Sequence, residues 1–421
     1  MTELFFCGRV VGLGWKGAYF MQLDTEVGAL SQALQGTTWA LVGAGGIAAI
    51  ELPKIAREMR RHGAKVRFYV TPKCLEFVGL KSLEWASEAP VTVEPSGFAE
   101  HICVEDSVLV LPATTNFIGQ LAHGLAGNGA TTLVQSALGQ EKPVFILQTM
   151  HDSLAASPMV ESNIEKLKKV KNISFLKPRL EEGKHKSPQP EDLVRDLCHL
   201  YNRRPEKVLV TMGGTSVSLD GVRTLSNSSS GNLGRQLCDI LYRSGFQLTV
   251  YCANITVPPP QFTYLDFHKD CDYSEIYNTL EKLDTSGFTA LYQTIAGSDF
   301  LPEQTQAGKI SSSQDKVSFH MEKAKKLRDL ENLKNIPFRV GCKLTDSFSS
   351  DDFQQVQKLL GQSFQAVLWN TASTSMGQST QHVGEIHSSE KLLYKTSSKK
   401  EAALYLSQTL FNFLSDTRET P

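Results

Sequence analysis

The chain has 421 residues, 41% of them hydrophobic and 21% charged, with a net charge of −1, which exceeds one compact core and implies two or three domains. A near-neutral chain has no global field for gripping nucleic acid, and no nucleic-acid motif occurs, so any anionic ligand must be met by a local site. Eight cysteines without a CxxC pair or metal-ligand spacing read as reduced thiols of a cytoplasmic protein, and the absence of a basic-apolar leader or an unbroken apolar run of about 18 residues argues against secretion and membrane spanning.

Residues 1–36 precede the first clear unit and are read as an N-terminal extension of unassigned role. A strand over 39–43, a helix over 47–61 and a strand over 65–70 then form a βαβ unit. The turn Gly43-Ala44-Gly45-Gly46-Ile47-Ala48 fits a G-x-G-x-x-A phosphate-binding pattern. The second strand, however, ends Tyr69-Val70-Thr71-Pro72, without the acidic residue that holds ribose hydroxyls in a nicotinamide site. His101 could serve as an acid or base, although a single histidine is more often structural. Strands at 107–111 and 144–147 and helices over 117–127 and 157–168 complete a doubly wound domain spanning 37–180. The Pro-rich, charged stretch 177–190 and a helix over 191–201 read as the interdomain connection, 181–205.

The second domain, 206–421, repeats the pattern, with a strand at 207–212, a helix at 232–244, strands at 247–251, 290–295, 338–341 and 366–369, and a C-terminal helix from about 398 to 415. Its first strand and helix are joined by Gly213-Gly214-Thr215, Asp220-Gly221-Val222-Arg223 and Ser226-Asn227-Ser228-Ser229-Ser230-Gly231-Asn232-Leu233-Gly234. Such a loop is an anion cradle. Glycines let backbone amides approach, hydroxyls add donors, the helix N-terminus adds partial positive charge and Arg223 a formal one. A P-loop is excluded, since Gly308-Lys309-Ile310 has Glu303 at the first glycine position. Taken alone, Lys309 reads as a solvent-facing loop lysine.

That loop resembles, element by element, the signature of phosphopantothenate–cysteine ligase, the C-terminal half of a bifunctional coenzyme A biosynthesis flavoprotein. The resemblance implies an acyl-nucleotidylate intermediate, with Asn227 catalytic in polarising it and Lys309, on a Lys-Ile element, as a mobile catalytic contact. It also implies nucleotide and substrate binding by Gly213, Gly214, Thr215, Arg223, Ser229, Ser230, Gly231, Asp299 and Lys358. Mg2+ is expected with the triphosphate, its ligands unknown. Gln362 stands where the family has a second lysine and Trp369-Asn370-Thr371 where it has Ala-Asn-Asp, so CTP and ATP both stay open.

The first domain is similar to the family's decarboxylase half through Gly45-Gly46-Ile47-Ala48-Ala49, Thr71, Pro112-Ala113-Thr114-Thr115-Asn116 and Gly124-Leu125-Ala126. This implies FMN held by Gly45, Gly46, Ile47, Thr71, Pro112, Ala113, Thr114 and Asn116, with His101 catalytic. Met150 and His151 fall in the substrate loop, His151 replacing the family's carboxylate-gripping Asn. The family's Cys-bearing clamp belongs between about 177 and 190, where this chain has no Cys. The whole resemblance implies an α/β protein of two doubly wound, Rossmann-like domains, flavodoxin-like then ligase. It implies a cytoplasmic homo-oligomer that ligates cysteine to 4'-phosphopantothenate with CTP or ATP and decarboxylates the product to 4'-phosphopantetheine, without nucleic-acid or membrane partners. The alternatives are a ligase-only enzyme with a degenerate flavin domain, or a non-enzymatic regulatory flavoprotein.

Overall fold

The computed structural model describes residues 27–97, 99, 101–362, 364–375 and 383–419; most of the 1–36 extension lies outside them. The first sheet holds five parallel strands, β1 (Thr38–Gly43), β2 (Lys65–Val70), β3 (Ser107–Ala113), β4 (Val144–Gln148) and β5 (Ile173–Phe175), in the order β2-β1-β3-β4-β5. The central strands are almost continuously apolar because helices cover both faces. Leu41, Phe68 and Leu109 point toward α1 (Leu52–Arg61) and α2 (Leu80–Ser87). Val42, Val108 and Val110 point toward α3 (Thr115–Ala122) and α4 (Gly129–Gly139), with α5 (Asp152–Ala155) and α6 (Pro158–Lys168) following β4.

Three expectations are corrected here. The helix over 47–61 divides into a 3-10 turn, Ile47–Glu51, and α1, because Pro53 in the first turn of α1 has no N–H to continue the preceding ladder. The helix over 117–127 stops at Ala122, with Gly124 at a φ of 68°, and a second helix, α4, begins after Asn128, which caps it through the amide of Thr131. The connection is ordered: β6 (Arg179–Glu181) and β7 (Lys184–Lys186) form a hairpin, and α7 (Pro190–Tyr201) packs into the first domain's core. Leu193, Val194 and Leu197 of α7 are fully buried there, each contributing about 1.5–3 kcal/mol by area.

The second sheet contains β8 (Lys207–Met212), which is followed by the small hairpin β9 (Ser216–Ser218) and β10 (Thr224–Ser226). After α8 (Asn232–Arg243) come β11 (Gln247–Cys252), β12 (Asp266–Lys269), α9 (Tyr273–Glu281), β13 (Phe288–Gln293) and an antiparallel pair, β14 (Phe300–Pro302) with β15 (Met321–Lys323). Then follow α10 (Glu331–Lys334), β16 (Phe338–Thr345), α11 (Ser350–Leu360), β17 (Ala366–Thr371), α12 (Ala372–Ser375), β18 (Gly384–His387), β19 (Leu392–Thr396) and α13 (Lys399–Glu419). The sheet order is β12-β11-β8-β13-β16-β17-β18-β19, with only β18 running against the rest, antiparallel to both β17 and β19. α8 and α13 cover one face, α9, α10 and α11 the other. Both domains are therefore doubly wound. No helix among the described residues is long and apolar enough to cross a membrane.

α7 also faces α8, making a polar seam between the halves. Arg195 reaches Asp239 at 3.0 Å, the Asp196 carboxylate accepts from the Tyr242 hydroxyl at 2.7 Å, and Asn202 donates to Ala33 O at 2.8 Å and Arg243 O at 2.9 Å. The His199 ring stacks on Tyr242 with centroids 4.1 Å apart, and its Nδ1 lies 3.0 Å from Tyr242 O. Burial pushes the His199 pKa down. Neutral His199 therefore contributes stability that is complete above its unfolded pKa of about 6.5 and is lost as pH falls through the lower folded value. The thermal midpoint of the wild type should fall further than that of His199→Phe between pH 7 and pH 5; parallel profiles would remove this role.

Candidate active sites

In the first sheet the strand order reverses direction between β1 and β3, the switch point where an open α/β sheet leaves a crevice beyond its carboxyl ends. The turn after β1 brings Gly46 there: a Cβ on it would meet Thr114 Cγ2 at 3.4 Å and Pro112 Cγ at 3.5 Å. The 3-10 turn after Gly46 has no side-chain cap, so its first amides face the crevice uncapped. Across the crevice Pro112 and Ala113 are buried, Thr114 caps α3 through Phe117 N at 3.4 Å, and Asn116 is exposed. Gly45 is covered by Lys73, and Ile47 is 71% exposed.

The hydroxyls of Thr71, just past β2, and Thr149, just past β4, are buried without a hydrogen-bond partner. Two orphaned donors on the carboxyl edge of one sheet are costly unless a polar ligand meets them, so these residues fit a bound, oxygen-rich group such as a flavin phosphate. Thr149 was given no role from the sequence, although it immediately precedes Met150 and His151 of the substrate loop. His101 stands exposed in a turn, and no hydrogen bond or ion pair among the described residues joins it to this crevice.

The hairpin β6–β7 turns through Glu182 (φ 53°) and Gly183 (φ 66°) and docks on the loop that carries Met150 and His151. Its backbone gives His185 N to Met150 O at 2.8 Å and takes Asp152 N onto Gly183 O at 3.0 Å. His185 is held on both ring nitrogens, Nδ1 by Gln148 Nε2 at 2.8 Å and Nε2 by Asp152 Oδ1 at 3.3 Å. Gln148 is the register partner of Ala113, which brings this hairpin to the same sheet edge as the crevice.

The second sheet has its own switch point between β8 and β13. There Gly213, at a φ of 89°, lets the chain turn so that Ala296 N donates to Gly213 O at 2.7 Å and Thr215 N to Ala296 O at 3.0 Å. The fully buried Thr215 binds Ser298 Oγ at 2.9 Å. The chain then leaves as the β9–β10 hairpin and returns, so the long loop read from sequence is two separated halves. Asn227 N donates to Thr215 O at 3.0 Å and Asn227 Nδ2 to Ala296 O at 3.0 Å, fixing the side-chain amide. Ser229, Ser230 and Gly231 (φ 70°) lead into α8, where Gly231 N donates to Ser229 Oγ and Asn232 N to Ser230 Oγ, each at 3.4 Å.

Asp220, named in the sequence pattern but assigned no role there, organises a second patch. Its carboxylate accepts from Val222 N at 2.8 Å, Arg223 N at 2.6 Å, Ile310 N at 3.0 Å and the Arg223 guanidinium. Burial pushes its pKa up, but these donors outweigh it and hold the group well below the usual carboxylate range. Gly221 N donates to Gly308 O at 3.1 Å, so the exposed Lys309 is carried on a loop clamped beside Arg223. Asp299 is exposed three residues past Ala296, and Lys358 is exposed on α11 with no hydrogen bond or ion pair to the cradle among the described residues. Among the described residues no group of three His, Cys, Asp or Glu side chains could hold a metal.

Comparison with known proteins bears on both halves. A Flavoprotein family model matches residues 28–202, and one for the DNA/pantothenate metabolism flavoprotein C-terminal domain matches residues 204–413. The Coenzyme A biosynthesis bifunctional protein CoaBC of Thermococcus kodakarensis is 31% identical over 334 residues, covering 76% of this chain and 81% of that protein. The chain belongs to the CoaBC family. The CoaBC of Methanocaldococcus jannaschii is likewise 31% identical, over 75% of this chain and 78% of its own. The solved DNA/pantothenate metabolism flavoprotein from Streptococcus pneumoniae is 20% identical, with a TM-score of 0.44, covering 49% of this chain and 99% of that one. At 31% identity the chain is a divergent member of that family, and its α7, inside the first match, belongs with the first fold as the packing has it.

Proposed function

We propose that this chain is a two-step enzyme of coenzyme A biosynthesis. Its second half joins cysteine to 4'-phosphopantothenate using CTP or ATP, and its first half, loaded with FMN, decarboxylates the resulting amide to 4'-phosphopantetheine. The observation that carries this reading is the convergence of Gly214, Thr215, Asn227 and the Ala296–Ser298 loop at the second switch point.

A carboxylate is a poor electrophile, so its oxygen attacks the nucleotide α-phosphorus and pyrophosphate leaves, giving an acyl-nucleotidylate. The cysteine amine then attacks the acyl carbon, loses a proton, and the nucleoside monophosphate departs. Asn227 spends one amide hydrogen on Ala296 O, which aims the other at the acyl oxygen. Arg223, anchored by Asp220, and Lys309 on the adjoining loop face the phosphates, and Mg2+ arrives with the nucleotide.

In the first half Gly45, Gly46, Ile47, Thr71, Thr149, Pro112, Ala113, Thr114 and Asn116 would hold the flavin, and the β6–β7 hairpin would close over substrate on Met150 and His151. A bound flavin supplies oxidation of the substrate thiol, which acidifies the carbon that loses CO2. His101 is assigned the proton transfer. Gly46→Val should fill the crevice between Thr114 and Pro112 and remove flavin absorbance from the purified protein, with its thermal midpoint otherwise kept; retained colour would move the flavin elsewhere.

The reading is tested by mass spectrometry of products from phosphopantothenate, cysteine, Mg2+ and either CTP or ATP. Amide product supports the ligase half. Onward conversion to phosphopantetheine, or to the species two hydrogens lighter, supports the flavin half and tells how the Cys-free hairpin finishes the reaction. No amide with either nucleotide would overturn the reading in favour of a regulatory flavoprotein.

A further inference from the structure

We infer that Lys184, on the β6–β7 hairpin beside His151, is the residue that selects a substrate with a free carboxylate for the flavin half, an assignment that rests on the decarboxylase reading above. The hairpin joins the loop after β4 as a third short strand. His185 N donates to Met150 O at 2.8 Å and Asp152 N to Gly183 O at 3.0 Å, so His151 and Lys184 are the opposed pair between those two bonds. The Cα atoms of such a pair lie about 4.5 Å apart, and both side chains leave by one face. On the other face the ring of His185 is tied to Gln148 and Asp152, which locks the hairpin in this register.

The acids around this pair already have cations. Glu181, which faces Lys184 across the hairpin, is met by Arg179 at 3.0 Å and by Lys186 at 3.1 Å. Lys186 also reaches Glu182 at 2.9 Å and, with a weaker pull from Lys184, holds that carboxyl below the usual carboxylate range. Asp152 is met by His185 at 3.3 Å. Lys184 itself is exposed and makes no hydrogen bond or ion pair among the described residues. Beside it, Ser153 N donates to His151 Nδ1 at 3.2 Å, which places the ring proton on Nε2, an edge without a partner among the described residues.

An ammonium and an N–H donor side by side suit a carboxylate, which accepts on both oxygens. Gln148, the register partner of Ala113, sets the pair at the edge of the crevice. In a decarboxylation the carboxylate is the group that departs: its carbon–carbon bond breaks, the electron pair stays on the substrate carbon and the charge leaves the oxygens. Lys184 and His151 therefore hold the ground state better than the transition state, so their contribution falls on recognition and orientation rather than on bond breaking.

The full-length, FMN-loaded protein should be titrated with two unreactive analogues of the amide while flavin absorbance is followed. In one, serine replaces cysteine, which keeps the carboxylate without the thiol; in the other, ethanolamine does, which lacks both. Wild type should bind the serine analogue about tenfold more tightly than the ethanolamine analogue. Lys184→Met should bring the two within about twofold, and Lys184→Arg should keep most of the preference. With the amide itself, Lys184→Met should raise KM by about the same tenfold, leave kcat within about twofold and leave amide formation by the second half unchanged. Equal affinity of wild type for the two analogues, or a preference that Lys184→Met keeps, would overturn the assignment alone. A wild type that holds no flavin, or that releases no CO2 from the amide, would remove the decarboxylase reading and this inference with it.

Discussion

Replacing Asn227 with aspartate is expected to stop amide formation, lowering kcat by roughly 100–1000-fold, the range for losing one preorganised donor to a developing oxyanion. The amide of Asn227 is half-buried and donates to Ala296 O at 3.0 Å. A carboxylate there would face that carbonyl with an oxygen and repel the acyl oxygen that it should polarise. Because Asn227 N still donates to Thr215 O, the loop should keep its path, and flavin content and thermal midpoint should stay near wild type. Release of nucleoside monophosphate at the wild-type rate by the variant would move the acyl-polarising role to another residue.

Gly214→Ala should cost ligation about 100-fold or more by geometry alone, since displacements near 1 Å carry penalties of that order. A Cβ at Gly214 would lie 2.2 Å from Asn227 O, and Gly214 cannot retreat because Asn254 holds it through both backbone groups, at 2.9 and 3.0 Å. The neighbouring Gly297→Ala is the control: its Cβ would make ordinary contact, 3.5 Å from Leu327 Cδ1 and from Tyr273 Cε2. Steady-state assays should find Gly297→Ala within a few-fold of wild type. Equal rates for the two variants would mean that the close approach of Gly214 to Asn227 does not set the site.

Much of this arrangement was legible in the chain. Apolar runs such as 207–212 and 107–111 could only be buried parallel strands, and the glycines at 213, 214 and 231 marked where backbone must come close. α4 was not legible, because Gly129, Gly139 and adjacent threonines are weak helix formers, and tertiary packing of Leu133 and Val134 overrides them. The hairpin at 179–186 carries no alternating apolar pattern, so its pairing with the Met150 loop left no periodic trace. His101 shows the converse, a residue named by motif that stands exposed, with no hydrogen bond or ion pair to the crevice among the described residues.

The seam formed by α7 bears on how material passes between the two halves. Asn202, the last residue before the second fold, is tied to Ala33 of one half and Arg243 of the other, and His199 and Arg195 add further ties within the preceding turns. A junction pinned in this way is no flexible leash. These contacts hold the two halves against each other rather than leaving them joined by a loose tether. On the proposed function the amide is then expected to reach a flavin crevice, its own or another molecule's, by diffusion, so that in a mixed solution each half would draw on a common pool.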